Sequence, residues 1–267
     1  MSHISFSELK EWTTCPWKHK LNYIERIKQF KGNEHTAFGT SLHTICENLV
    51  SLEASGKLSD YNAHEDFQEQ FLYNLKKLKE DTPDIELNGD LISSMRSQGD
   101  HLIQFILPAL KRCFGTFELV EVEEELYESV EGQEQNFKGF IDLVIYTPED
   151  KKYHIIDWKT CSWGWDTRRK TDKMVTYQLT LYKHFWCKKH DKDYGDVLTH
   201  FALLKRTAKK ENVEIFKVSN GIKKIDNALK LLNKSIYNIN NKNYIKNKLS
   251  CHGKFGLCEY YKTKHCM

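Results

Sequence analysis

A chain of 267 residues that is 40% hydrophobic and 12% aromatic can bury a core, which excludes an intrinsically disordered protein. No apolar run approaches the length of a membrane span, and the opening Met1-Ser-His-Ile-Ser-Phe6 lacks a signal-peptide pattern, so a cytoplasmic protein without membrane attachment is expected. The net charge of +3 conceals a division: residues 1–150 hold 14 Lys/Arg against 27 Asp/Glu, and residues 151–267 hold 26 against 10. A basic half of that kind suits a polyanionic partner.

In chain order, Ser5 or Ser7 can cap an opening helix, with Glu8 three residues after Ser5 as in a capping box and Leu9 and Trp12 on an apolar face. Cys15 precedes Pro16, which fits the first turn of a second helix. A third helix starts near Ala37 after a glycine-containing turn, with Leu42, Ile45, Cys46, Leu49 and Val50 as its apolar stripe. His43 and Glu47 are four apart and share a face of it. Residues 60–80 and 91–114 have helical spacing and are separated by Thr82–Gly89. Together, over about 55–115, they read as a helical insertion. Phe117–Tyr127 reads as a strand crowded by Glu118, Glu121, Glu123, Glu124 and Glu125; its register is open, and it reads first as a solvated acidic edge, with the approach of one of these acids to a metal as the alternative.

The chemistry concentrates in the next two runs. Phe140–Ile145 is apolar and β-branched with Asp142 inside it. After a polar turn around Pro148–Lys152, Tyr153–Ile156 leads into Asp157 and Lys159. Two such runs form a β-hairpin, and alternation puts Asp157 and Lys159 on one face. Pairing the strands can bring Asp142 beside them. Two adjacent carboxylates repel unless a cation lies between them, and hard oxygen donors suit Mg²⁺ or Mn²⁺. A lysine there can orient a water and stabilise charge on a phosphate.

Thr160–Asp172 reads as a polar loop that interleaves Trp163 and Trp165 with Arg168, Arg169 and Lys170, a composition suited to bases and phosphates. Helix 172–190 carries Gln178 and Tyr182 on one face. Strands Val197–Lys205 and Val213–Val218 enclose a basic turn whose Lys205 and Arg206 are candidate DNA contacts, and a helix over 221–240 follows. There is no phosphate-binding glycine loop, so unwinding would have to come from a partner. Of eight cysteines, Cys46, Cys113, Cys161 and Cys187 read as small buried residues. Cys251, Cys258 and Cys266 lie in a short glycine-containing tail and are good soft-metal ligands, with Cys15 the candidate fourth.

Taken together, Asp142 followed by Asp157-Trp-Lys159 resembles the PD-(D/E)XK nuclease superfamily, although Ile141 stands where that motif has proline. Gly39-x-x-x-His43, Gln178-x-x-x-Tyr182 and the Cys15-Pro16 opening resemble its RecB-like branch. The resemblance implies one α/β domain over 1–267, with a restriction-endonuclease-like mixed sheet flanked by helices and a sheet core at 117–220. It implies Mg²⁺ or Mn²⁺ held by His43, Asp142, Asp157 and the carbonyl of Trp158 or Lys159, with Lys159 positioning the attacking water and Gln178 and Tyr182 orienting Lys159 or the DNA. One cysteine before the core and three after it resemble the iron–sulfur nucleases: the AddB nuclease domain, CRISPR-associated RecB-like exonucleases and related phage exonucleases. This implies a [4Fe–4S] clasp on Cys15, Cys251, Cys258 and Cys266. The spacing of the last three is wider than is usual there, and Zn²⁺ on four thiolates, or His252 or His265 replacing one ligand, is the alternative. The expected substrate is DNA, single-stranded or with duplex ends, cut by an exonuclease of recombination, replication or repair alongside a helicase or recombination partner. A CRISPR adaptation nuclease and a non-catalytic DNA-binding or assembly module are the other readings.

Overall fold

The computed structural model describes residues 3–27, 31–253 and 256–267. Lys254 and Phe255, inside the expected clasp, lie outside the described residues. The β-branched runs form a six-stranded mixed sheet of β1 (His3–Ser5), β2 (Glu118–Ser129), β3 (Asn136–Thr147), β4 (Lys152–Cys161), β5 (Val197–Lys205) and β6 (Val213–Val218). β2, β3, β4, β5 and β6 lie side by side, and the short β1 runs parallel to the start of β3. β3 and β4 are the expected antiparallel hairpin, whereas β4 and β5 are parallel and are joined through helices.

Helices cover both faces. On one lie α3 (Glu34–Ala54), α4 (Ala63–Asp81), α5 (Gly89–Ile103) and α6 (Ile106–Phe114). Their apolar stripes meet Leu143, Ile145, Ile156 and Trp158 of the sheet. On the other lie α1 (Phe6–Thr14), α8 (Lys173–His190) and α9 (Ile222–Asn240), packed on Val144, Ile155, Phe201 and Leu203. Strands buried on both sides explain the near-continuous apolar text of β3 and β4. A short α2 (Pro16–His19) follows Cys15, and α7 (Thr167–Thr171) precedes α8. Among the described residues no helix is long and apolar enough to cross a membrane.

Several expectations change in detail. The helix read over 91–114 is two, because Pro108 has no N–H to continue a helix and sits instead in the first turn of α6. The loop after Lys159 is shorter, since β4 continues through Cys161 and Asp166 caps α7 by accepting from the Arg169 N–H at 2.7 Å. Ser5 caps α1, but Glu8 does not turn back to close a box: its carboxylate meets Nε2 of the fully buried His19 at 2.8 Å. α3 starts earlier than Ala37, at a capping box made by Asn33 and Thr36. Cys113 is exposed and Cys161 half-buried, so only Cys46 and Cys187 of that group are small core residues.

Candidate active site

The ladder between β3 and β4 runs from Thr147 opposite Lys152 to Leu143 opposite Ile156, and stops. Beyond it β4 stays with β5, while the first residues of β3 pair with β1 on that edge. The two strands therefore fork, and the Trp158 N–H at the fork loses the carbonyl a ladder would have supplied. Asp142 replaces it: its Oδ2 accepts from the Trp158 N–H at 2.7 Å. That bond fixes Asp142 beside Asp157 and Lys159.

A second irregularity aims Asp142. Ile141 packs in the α8 layer, yet Leu143, two residues on, packs in the α3 layer. Residues two apart in a regular strand share a face, so β3 switches face at Asp142. β2 switches at the same level, with Glu124 bonded to Trp186 of α8 and Val122 packed on the other side. Glu123 between them has φ +50°, a left-handed conformation that costs a non-glycine residue energy and recurs at functional sites. The neighbouring pairs, Val122 with Leu143 and Glu124 with Ile141, set Glu123 opposite Asp142. Glu123 is the acid of the crowded strand that joins the site.

α3 closes the fork from above with Gly39, His43 and Glu47, one turn apart each. A Cβ on Gly39 would lie 3.3 Å from Thr160 Oγ1, so the small residue lets the helix settle on β4. His43 Nδ1 lies 3.6 Å from Asp142 Oδ2. Burial pushes the His43 imidazole down, partly offset by Asp157. Glu47 lies against Glu123, and burial together with that carboxyl pushes it up to about 8. In the sequence, the spacing of Glu47 from His43 puts the two on one helix face without placing Glu47 in the site, and nothing singles out Glu123 among five glutamates.

Asp142 and Asp157 are 8% and 1% exposed, and burial pushes each carboxyl up to about 6 against the attraction of Lys159. Lys159 Nζ lies 2.6 Å from Asp157 Oδ2 and forms a buried ion pair with it. Burial alone would lower Lys159; Asp157 and Asp142 outweigh it and keep the ammonium above its ordinary range. Among the described residues no three His, Cys, Asp or Glu side chains form a ready-made metal shell. The donors still suit a hard divalent cation: two costly buried carboxyls next to a neutral imidazole and the Trp158 carbonyl.

Gln178 and Tyr182 are adjacent on α8, with Nε2 donating to the Tyr182 oxygen at 3.2 Å. The Tyr182 ring lies on β3 at Gly139, where a Cβ would be 2.7 Å from its Cε1. The expected nucleic-acid residues separate into two groups. Trp163 is 76% exposed, and Arg168 and Arg169 are exposed, Arg169 lying 4.5 Å over the Trp165 ring. Lys170 and the buried Lys205 instead both pair with Glu214, and Arg206 donates to Gln98 at 2.7 Å and Ser162 at 3.2 Å. Those three tie β5, β6 and α5 together.

At the chain ends, Cys15, Cys251, Cys258 and Cys266 line one cavity of about 300 Å³. All four are free thiols. The Asn247 N–H donates to Cys15 Sγ at 3.4 Å, Trp17 donates to the His265 carbonyl at 2.8 Å, and Lys18 pairs with Glu259 at 2.9 Å. Among the described residues no three of them already form a metal shell, but four thiols lining one space have the donor chemistry of a cluster or zinc site.

The profile of the PD-(D/E)XK nuclease superfamily matches residues 3–262, and the chain belongs to that superfamily. The crystal structure of a candidate exonuclease from Eubacterium rectale is similar, with a TM-score of 0.52 and 13% identity over 99% of this chain and 87% of that one. At that identity the likeness establishes the fold. Among curated proteins no sequence matches significantly.

Proposed function

We propose that this protein is a metal-dependent deoxyribonuclease of the RecB-like branch, an exonuclease acting on single-stranded or duplex DNA ends in recombination, replication or repair. The observation that carries the reading is the fork, which gathers His43, Lys159 and the two buried carboxyls of Asp142 and Asp157 in one place. His43, Asp142, Asp157 and the Trp158 carbonyl would hold Mg²⁺ or Mn²⁺, which supplies Lewis-acid charge at the scissile phosphate. Asp142, fixed by the Trp158 N–H, and Asp157 keep the donor oxygens in place. Lys159, held protonated by the two carboxyls, serves as a donor: it orients the attacking water and stabilises charge developing on the phosphate oxygens. Gln178 and Tyr182 back this group from α8.

In the same reading the four cysteines hold a [4Fe–4S] cluster or zinc that fastens the chain ends, supported by their shared cavity. Absorption spectra and metal analysis of anaerobically purified protein separate the two.

The test is degradation of end-labelled single- and double-stranded DNA with Mn²⁺, Mg²⁺ or EDTA, alongside Asp157→Ala. Metal-dependent loss of label that the variant lacks is the expected result and gives the polarity. Firm binding with no cleavage of either substrate would replace the nuclease by an assembly module on the same fold.

A further inference from the structure

A groove of about 540 Å³ starts at Lys159 and runs between α1 and the α7–α8 segment. One wall carries Lys10 and the other Arg169; Phe6, Trp165, Met174 and Val175 lie between them. Thr14 and Lys18 line both this groove and the cysteine cavity.

Its charges are arranged for a ligand. Glu11, the groove's carboxylate, accepts from Asn22 at 2.6 Å and faces Lys18 at 3.7 Å, and Lys18 is further bound to Glu259. Among the described residues neither the Lys10 ammonium nor the Arg169 guanidinium has a carboxylate within ion-pair distance. Both are close enough to feel each other and Lys159, with Asp172 the opposing charge near Lys10. Like charges gathered in a concave surface favour an anion with several charges. Arg169 rests 4.5 Å over the Trp165 ring, a cation–π contact that restricts its side chain before anything binds.

The apolar lining decides between kinds of anion. A duplex hides its bases and presents phosphates alone, whereas a single strand presents phosphates and ring faces together. We propose that this groove is a single-strand track that holds the nucleotides next to the scissile phosphodiester. Lys10 and Arg169 bind successive phosphates, and bases lie on the Arg169 plane and the rings around it. The assignment rests on the nuclease reading for where the strand is cut, but not for whether it binds.

Binding of a labelled oligothymidylate in EDTA, followed by anisotropy against salt, tests it without cleavage. Lys10→Ala and Arg169→Ala should each weaken binding about tenfold and lower the salt slope by about 0.7. Lys10→Arg should restore affinity, and a blunt duplex should bind more weakly and respond little to either change. In Mn²⁺ the alanine variants should raise KM for the single strand. Parent-like binding of the oligothymidylate by both alanine variants, or an equal loss on the duplex, overturns the track. A parent that binds through these residues yet never cleaves with Mn²⁺ or Mg²⁺ overturns the nuclease reading and leaves the track standing.

Discussion

The fork and the clasp are both gatherings of metal-type ligands, and they are built in opposite ways. Around the fork, Leu143, Val144, Ile145, Ile155, Ile156 and Trp158 are at most 1% exposed, so the carboxylates ride on strands packed from both sides. Their positions follow from the core. The clasp is a 3₁₀ turn at Lys248–Cys251, two-residue strands at His252–Gly253 and Gly256–Leu257, and turns. Of its described residues from Cys251 onward, only Cys251 and Tyr260 are buried. A site held by the core keeps its shape whatever it binds; a site held by turns owes more of its shape to what fills it. The metal at the fork would then supply reactivity, and the group at the clasp would supply structure.

The largest expected effect breaks one half of that contrast. Asp157→Asn should lower Mn²⁺-dependent cleavage about a thousandfold or more while circular dichroism shows an intact fold. Activity near the parent's would remove the fork from the reaction. The next largest bears on the other half. Cys258→Ser should lower the thermal midpoint by about 4–8 °C, as a loss of about 2 kcal/mol does in a domain of this size, with cleavage falling only as the folded fraction falls. An unchanged midpoint would mean that the clasp carries no structural load. A smaller effect sharpens how the fork is supported. Gly139→Ala places a Cβ against the Tyr182 ring and should cost about 1–3 kcal/mol in chemical denaturation, because a packed ring has nowhere to retreat. No measurable loss would show that Tyr182 is free to move.

Much of the sheet was legible because its strands are apolar on both faces and bounded by turn residues: β5 and β6 have the limits read from sequence, and the hairpin of β3 and β4 is as expected. α3 and its His43–Glu47 face followed from helical spacing. The active-site detail did not. A strict alternation of two cannot reveal that β2 and β3 both change face at Glu123 and Asp142, nor which of five glutamates takes the left-handed turn. β1 is three residues long and owes its existence to the edge of β3. Which cations face outward was also hidden, since Lys170, Lys205 and Arg206 are taken by Glu214, Gln98 and Ser162, partners that only the fold brings near.

The smallest effect tests whether the fork is strained by its own charges. Glu47 holds its proton up to about 8, against an ordinary value of 4.5, because burial and Glu123 disfavour the ionised form. A carboxyl whose folded value is raised binds a proton that the unfolded chain has already released. The resulting stability is present in full below the ordinary value and is lost as pH rises towards about 8. Glu47→Gln keeps a neutral hydrogen-bonding group there at every pH, so the variant should lack this decline. Solvent screens a half-buried side chain, which reduces the difference at the upper end to about 1 kcal/mol, or about 2–4 °C in thermal midpoint. Midpoints of parent and variant measured in EDTA across pH 5 to 9 should coincide at the acid end and separate towards the alkaline end, the variant being the more stable. Parallel curves would mean that burial beside Glu123 does not hold a proton on Glu47, and that the fork tolerates its carboxylates by some means other than the neighbour on α3.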